Sequence, residues 1–283
     1  MASADEIRDA QRAAWGERAV AWEKWSDVIT GQLAPVGAAM IAALDLAATR
    51  QHLDVASGTG EPGLMIAAQA PGAHVVLTDL SAPMLAVAAR RADAAGITDV
   101  TTVVASADDL PFDDATFDGV SVRFGLMFFP DLPTATAELV RVLRPGGRLC
   151  AAVWVEPDRN PWVTIPADAV AAEIPPPPVD PDAPSMFRCG APGFVRDLFE
   201  DAGLVDVAER DVAVELVTAS PDEFWATISE HVAPVVHAMA AADEAARERI
   251  RASVLDAVQP YRREDQVAVP GLARVVVGTR RRA

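Results

Sequence analysis

From residue 51 onward, apolar runs of strand length alternate with longer amphipathic runs, and this alternation restricts the fold more than any other feature of the chain. The runs at 51–56 (QHLDVA), 74–79 (HVVLTD), 100–105 (VTTVVA), 117–123 (FDGVSVR), 148–154 (RLCAAVW), 207–216 and 273–280 (ARVVVGTR) read as strands. Helices between them carry end signals. One opens with Ser81 as N-cap and Pro83 in its first turn, runs through Met84, Leu85 and Val87, and stops before Gly96. Another starts at Asp131, carries Leu139, Val140 and Leu143, and is ended by Pro145-Gly146-Gly147. The pattern predicts a parallel sheet covered by helices on both faces, with residues 51–155 as its core.

The flanks do not fit a minimal sheet of this kind. Residues 1–50 are expected to form a helical cover, with one helix over 3–30 that places Trp15, Trp22 and Ile29 at i, i+7 and i+14 and Trp25 beside them. Residues 156–190 contain Pro175 to Pro178, Pro181 and Pro184 and read as an extended excursion before a helix at 191–202. Residues 191–283 finish the sheet around an insertion at 219–265, where two or three helical segments break near Pro234 and Asp243. Both interruptions are expected to cap the carboxyl ends of the strands, where open α/β sheets bind ligands.

A net charge of −17 argues against nucleic acid as a partner, because binding a polyanion requires a basic stripe and the only dense basic cluster is Arg280-Arg281-Arg282. Cys150 and Cys189 are too few for a disulfide framework or a zinc site, so no metal is expected. The longest apolar stretch, Leu33 to Leu46, is shorter than a membrane span, and the N-terminus lacks the pattern of a secretory signal; a cytoplasmic location is expected.

The stretch Leu53-Asp54-Val55-Ala56-Ser57-Gly58-Thr59-Gly60-Glu61-Pro62-Gly63 places a glycine turn between a strand and a helix start, where backbone can approach a ligand closely. Gly58, Gly60 and Gly63 have the spacing of a dinucleotide fingerprint. Asp79, 19 residues after Gly60, ends the next strand, where a carboxylate can bond both ribose hydroxyls. A nucleoside ligand is therefore indicated. A short-chain NAD(P) oxidoreductase would normally carry a Tyr-x-x-x-Lys pair, whereas the single Tyr261 and single Lys24 lie far apart.

Four segments in series resemble the class I S-adenosylmethionine-dependent methyltransferases, particularly the group around the ubiquinone and menaquinone C-methyltransferases and many small-molecule methyltransferases. They are LDVASGTG (53–60), DLSAPML (79–85), LPFDDATFDGV (110–120) and RVLRPGGRL (141–149). The resemblance implies a Rossmann-like, seven-stranded, mostly parallel sheet with helices on both faces, the last strand antiparallel and a helical cap added. It also implies S-adenosylmethionine as cofactor and S-adenosylhomocysteine as product. Residue by residue, Asp54, Ala56, Ser57, Gly58 and Gly60 would hold the methionine portion, Asp79 with Leu80 the ribose, and Met84 the adenine face. Ser106 and Ala107 stand where the family has an acidic residue followed by Ala, with Asp108 as an alternative contact. Arg123 and Phe124 would face the transferring end. Ala56 replaces the family's first glycine.

Methyl transfer needs alignment and exclusion of water more than a particular side chain, and a general base only if the acceptor must lose a proton. His231 and His237 are the only histidines in the expected cap and the only candidates for that base; His231 shares a helical face with Phe224, Ile228 and Val235. His52 and His74 begin or flank strands away from the site and are set aside, while Arg188 and Glu230 could contact a polar substrate without any motif to support them. Trp22, Trp25, Met127, Phe128 and Trp154, with Trp15 and Trp162, are expected to wall an apolar pocket. The segment Arg123 to Phe129 lacks the Asn/Asp-Pro-Pro-Tyr/Phe signature of methyltransferases acting on planar nitrogens. The expected acceptor is a small apolar or aromatic metabolite, with O- or C-methylation favoured. The competing expectations are a non-catalytic adenosyl-ligand scaffold and, less favoured, the oxidoreductase. Oligomeric state is left open.

Overall fold

The computed structural model describes residues 3–175 and 183–282. The elements are α1 (Ala4–Lys24), α2 (Ser26–Ala43), β1 (Gln51–Val55), α3 (Gly63–Gln69), β2 (His74–Asp79), α4 (Ala82–Ala94), β3 (Val100–Val104), β4 (Phe117–Arg123), α5 (Leu132–Val142), β5 (Leu143–Trp154), α6 (Pro161–Glu173), α7 (Phe194–Asp201), β6 (Leu204–Thr218), α8 (Pro221–His231), α9 (Ala233–Ala241), α10 (Glu244–Ala257), β7 (Arg262–Arg263) and β8 (Gln266–Arg280). The sheet runs β3-β2-β1-β4-β5-β8-β6, and the two-residue β7 pairs with β8. The pairs β1–β2, β1–β4, β2–β3 and β4–β5 are parallel; β8 is antiparallel to both β5 and β6. The expected seven strands and antiparallel last strand are present, with β7 as an eighth, very short strand.

Local chemistry explains the elements that position the loops. Ser81 accepts the Met84 N–H at the start of α4, and Asp131 accepts the Thr134 N–H at the start of α5, each satisfying a donor that a helix leaves free. The central strands β1, β2 and β4 are buried almost throughout, as strands covered on both faces must be, and Leu53, Leu77, Val120 and Val122 have no exposure.

Two expectations about the flanks change, and the third, a helical insertion, holds in outline. The helix expected over 3–30 is two helices that part at Trp25, which ends α1 and precedes α2. The break lets α1 cross α4 and α8 while α2 packs on β5, β6 and β8, a choice set by tertiary packing that helical periodicity cannot show. The excursion expected to be extended contains α6, because Pro161 lies in the first turn, where its missing N–H costs nothing, and Trp162, Val163 and Ala169 bury one face. Pro176 to Pro178 and Pro181 lie outside the described residues. The insertion at 219–265 forms α8, α9 and α10, interrupted at Val232 and capped anew at Asp243. No helix among the described residues is long and apolar enough to cross a membrane.

Candidate cofactor and acceptor site

The loops after β1, β2, β4 and β5 meet at the carboxyl end of the sheet. After Val55 the chain turns through Ala56 and Gly58, each with φ of 53°, and Gly60 with φ of 106°. Ala56 thus adopts the left-handed backbone that the family's glycine would occupy freely. A side chain at Gly58 would meet nothing within 4 Å, and the neighbouring Ser57 hydroxyl is buried without a hydrogen-bond partner. A buried hydroxyl without a partner beside open space is a place prepared for a polar ligand atom.

Asp79 faces this loop from the end of β2. Its Oδ2 accepts the Gly58 N–H at 2.9 Å and its Oδ1 the Ser81 N–H at 2.8 Å, which hold the carboxylate in one orientation with lone pairs to spare. Burial raises its pKa, against those two bonds. The orphaned Ser57 hydroxyl, the open flank of Gly58 and the oriented Asp79 together fit a nucleoside with vicinal hydroxyls. Asp54, by contrast, turns inward: Oδ1 accepts the Ser121 hydroxyl at 2.6 Å and Oδ2 the Gly63 N–H at 2.9 Å, with no exposure at all. Through these bonds it braces the glycine loop from beneath, and both of its oxygens are engaged within the protein. Burial pushes its pKa up to about 7, opposed by Ser121, Gly63 and the nearby Arg123.

Arg123 ends β4 half-buried, its pKa lowered by desolvation and held up by Glu61 and Asp54. Arg91 meets Glu61 at 3.1 Å and donates to the Thr59 carbonyl at 2.6 Å, tying α4 to the glycine loop. Ser106 donates to Asp108, which pairs at 3.1 Å with Arg8 on α1. Asp108, the alternative acid beside Ser106, is thus engaged by both Ser106 and Arg8. Ala107 is buried beside it. Met84 is also buried, packed with Val87 against Ala19, Trp15 and Trp22 of α1.

Aromatic side chains cluster at the carboxyl ends of β4 and β5. Phe124 has φ of 58°, and its ring stacks on Trp154 with centroids 4.3 Å apart; Trp162 follows at 5.0 Å from Trp154, anchored by its N–H to Asn160. Trp15 packs edge-on against Phe128 at 5.5 Å and Trp22 at 6.1 Å, and Trp22 lies 6.1 Å from the His231 ring. The Trp22 indole N–H is buried without a partner. Met127 is buried in the main core. Trp25 donates its indole N–H to Glu230 at 2.8 Å, and Glu230 also pairs with Lys24. Arg188 donates to the Phe129 carbonyl at 2.7 Å.

The two candidate bases separate cleanly. His237 is exposed on α9, whereas His231 is buried beside Trp22. Its Nδ1 is bonded to the Thr227 carbonyl, which requires an N–H there and leaves Nε2 with a lone pair. Burial pushes its pKa down to about 4, so the ring is neutral near pH 7. Sequence reasoning missed Arg8, Glu61, Arg91 and Ser121 and set His52 aside. Arg8 sits three residues after Asp5 and pairs with it at 2.9 Å, so along the sequence it looks like an ordinary surface residue. A shallow surface groove of about 390 Å³ bounded by Pro35, Ala38, Ala39 and Arg210 to Val212 shares no residue with this site.

Residues 53–147 match a family described as a methyltransferase domain. The chain is 46% identical over 121 residues to a demethylmenaquinone methyltransferase of Thermus thermophilus, covering 42% of this chain and 54% of that protein. It is 45% identical over 101 residues to a ubiquinone/menaquinone biosynthesis C-methyltransferase of Brucella anthropi, covering 35% and 38% of the two chains. The chain thus spans about half the length, or less, of these relatives. Among solved structures, the YcgJ protein of Bacillus subtilis superposes with a TM-score of 0.55 at 19% identity, covering 87% of this chain and 98% of that one, which is a likeness of fold.

Proposed function

We propose that the protein, whose residues 53–147 match a methyltransferase domain, is a class I enzyme that transfers a methyl group from S-adenosylmethionine to a small, largely apolar or aromatic acceptor. The observation that carries the acceptor class is the concentration of aromatic side chains in the elements around the loops: Phe124 stacked on Trp154, and Trp15 packed against Trp22 and Phe128. Such a concentration favours a planar apolar ring and disfavours a hydrated charged one. The menaquinone- and ubiquinone-related names of the similar proteins agree with a quinone-like or phenolic ring.

S-adenosylmethionine, when bound, supplies an electrophilic methyl group on a sulfonium. The chain's own residues do the rest. Asp79 binds the ribose hydroxyls, Ser57 and the flank of Gly58 seat the ligand backbone, and Arg123 offers a cation to the carboxylate of the methionine portion. The aromatic residues orient the acceptor and exclude water, which is the larger part of catalysis in an in-line displacement. His231 Nε2 takes the proton of an acidic acceptor hydroxyl, a role for which its lone pair and neutral state suit it. The methyltransferase names of the similar proteins favour catalysis over a non-catalytic adenosyl-ligand scaffold.

The test is turnover of labelled S-adenosylmethionine against a panel of phenols, hydroquinones and aliphatic amines. Label is expected in the phenol or hydroquinone products; transfer to the amines alone would overturn the acceptor class.

A further inference from the structure

The strand interior holds a polar chain that the proposed function does not use. His52 and Asp54 are alternate residues of β1 and share one face of the sheet, and Ser121 is the register partner of Asp54 on β4. His52 Nε2 lies 2.9 Å from the Ser121 hydroxyl, and that hydroxyl lies 2.6 Å from Asp54 Oδ1. All three residues have no exposure. Two glycines make room for them. A Cβ on Gly119 would come within 2.8 Å of His52 Nδ1, and one on Gly63 within 2.9 Å of Asp54 Oδ2. The remaining ring nitrogen, His52 Nδ1, is buried with no partner.

We propose that His52 and Ser121 are positioning residues for the cofactor site: through a directional hydrogen-bond chain they keep Asp54 ionised and aimed at the Gly63 N–H beneath the glycine loop. The proposal rests on the methyltransferase reading for its binding consequence alone. The direction of the chain carries the argument. If Asp54 is a carboxylate, Ser121 donates to it, His52 Nε2–H donates to Ser121, and Nδ1 is left as an unpaired acceptor. If Asp54 is protonated and donates to Ser121, the Ser121 hydroxyl turns to His52 Nε2, and the ring proton moves to Nδ1, where it has no acceptor. A buried unpaired N–H costs more than an unpaired lone pair, so the orphaned nitrogen penalises the protonated form.

This bias opposes the burial that raises the Asp54 pKa to about 7. Burial also lowers the His52 pKa to about 3, so the ring enters the chain neutral. The other charges facing the pair are Arg123 at the end of β4, which favours the carboxylate, Glu61, which opposes it, and Asp118, which acts on His52. Arg91 on α4 offsets Glu61 at 3.1 Å. An ionised Asp54 presents negative charge to the amino end of a methionine-containing ligand.

The test compares wild type, His52→Leu, His52→Gln and Ser121→Ala in the full chain. Two quantities are read: the Asp54 titration midpoint by carbon NMR of carboxyl-labelled aspartate, assigned with Asp54→Asn, and the S-adenosylhomocysteine Kd by calorimetry. His52→Leu and Ser121→Ala are expected to raise the midpoint by about one unit and weaken binding about fivefold near pH 7. Binding in these variants should converge on wild type near pH 9, where Asp54 is ionised in every variant. Gln keeps an N–H for Ser121 and is expected to restore the wild-type midpoint. An unchanged midpoint in both His52→Leu and Ser121→Ala, or a binding deficit that persists near pH 9, would overturn the proposal. A wild type that binds no adenosyl ligand would instead overturn the methyltransferase reading, and the NMR midpoints would still decide the role of His52 and Ser121.

Discussion

Replacing Asp79 isolates the part of the site on which cofactor recognition depends most. Its carboxylate accepts two backbone N–H groups, from Gly58 and Ser81, and on the proposed reading its remaining lone pairs take the ribose hydroxyls. Asp79→Ala removes two charge-assisted bonds to the ribose hydroxyls, each worth about 1.5–3 kcal/mol, so Kd for S-adenosylhomocysteine should rise by roughly 100-fold or more. The same change leaves two N–H groups without partners at about 1–3 kcal/mol each, partly offset by relief of the carboxylate's own burial. Asp79→Asn should lie between, because one amide oxygen keeps one N–H while the NH2 faces the other donor. Calorimetric titration with S-adenosylhomocysteine reads the binding, and thermal unfolding reads the cost to the fold. An Asp79→Ala variant that stays folded and binds within about threefold of wild type, less than 1 kcal/mol, would refute the assignment of this carboxylate to the ribose.

Gly63→Ala should destabilise the fold by about 1–3 kcal/mol or more, since the added methyl would come within 2.2 Å of Leu77 and 2.9 Å of Asp54; denaturant unfolding measures it. Ala56→Gly should leave binding intact and change stability by no more than about 1 kcal/mol, because relief of a left-handed alanine at φ of 53° is set against glycine's extra unfolded-state freedom. His231→Gln should lower kcat on a phenolic acceptor about 100-fold with the S-adenosylhomocysteine Kd unchanged, and an unchanged kcat would remove His231 from the proton transfer. The same residue gives a pH signature. Its folded pKa of about 4 lies below the ordinary 6.5, so the unfolded chain binds more protons between those values and stability falls as pH drops from 6.5 towards 4. His231→Gln should flatten that slope in thermal unfolding.

The strands and the glycine turn were legible because their signals are local: period, caps and the spacing from Gly58 to Asp79 all lie along the chain. The same holds for Ser81 and Asp131, whose capping bonds reach three residues ahead. The break at Trp25 was not legible, because both sides of it are good helix and only packing on α8 and the sheet divides them. Asp54 was found, yet its inward orientation depends on Ser121, a residue of β4 that becomes its neighbour only when the strands pair. His52 was set aside for its place near the start of β1, although its ring reaches Ser121 and the same face as Asp54. Arg8 and Asp108 meet only because α1 folds back across the loops. Long-range partners of this kind leave no period or motif in a single sequence.

The central claim, an adenosyl-sulfonium cofactor held by the glycine loop and Asp79, is tested most directly by side-by-side calorimetric titration of the wild-type protein with S-adenosylmethionine, S-adenosylhomocysteine and NAD(P)H. Saturable binding of the two adenosyl ligands and none of the dinucleotide is the predicted result. Binding of NAD(P)H with no response to either adenosyl ligand would contradict it.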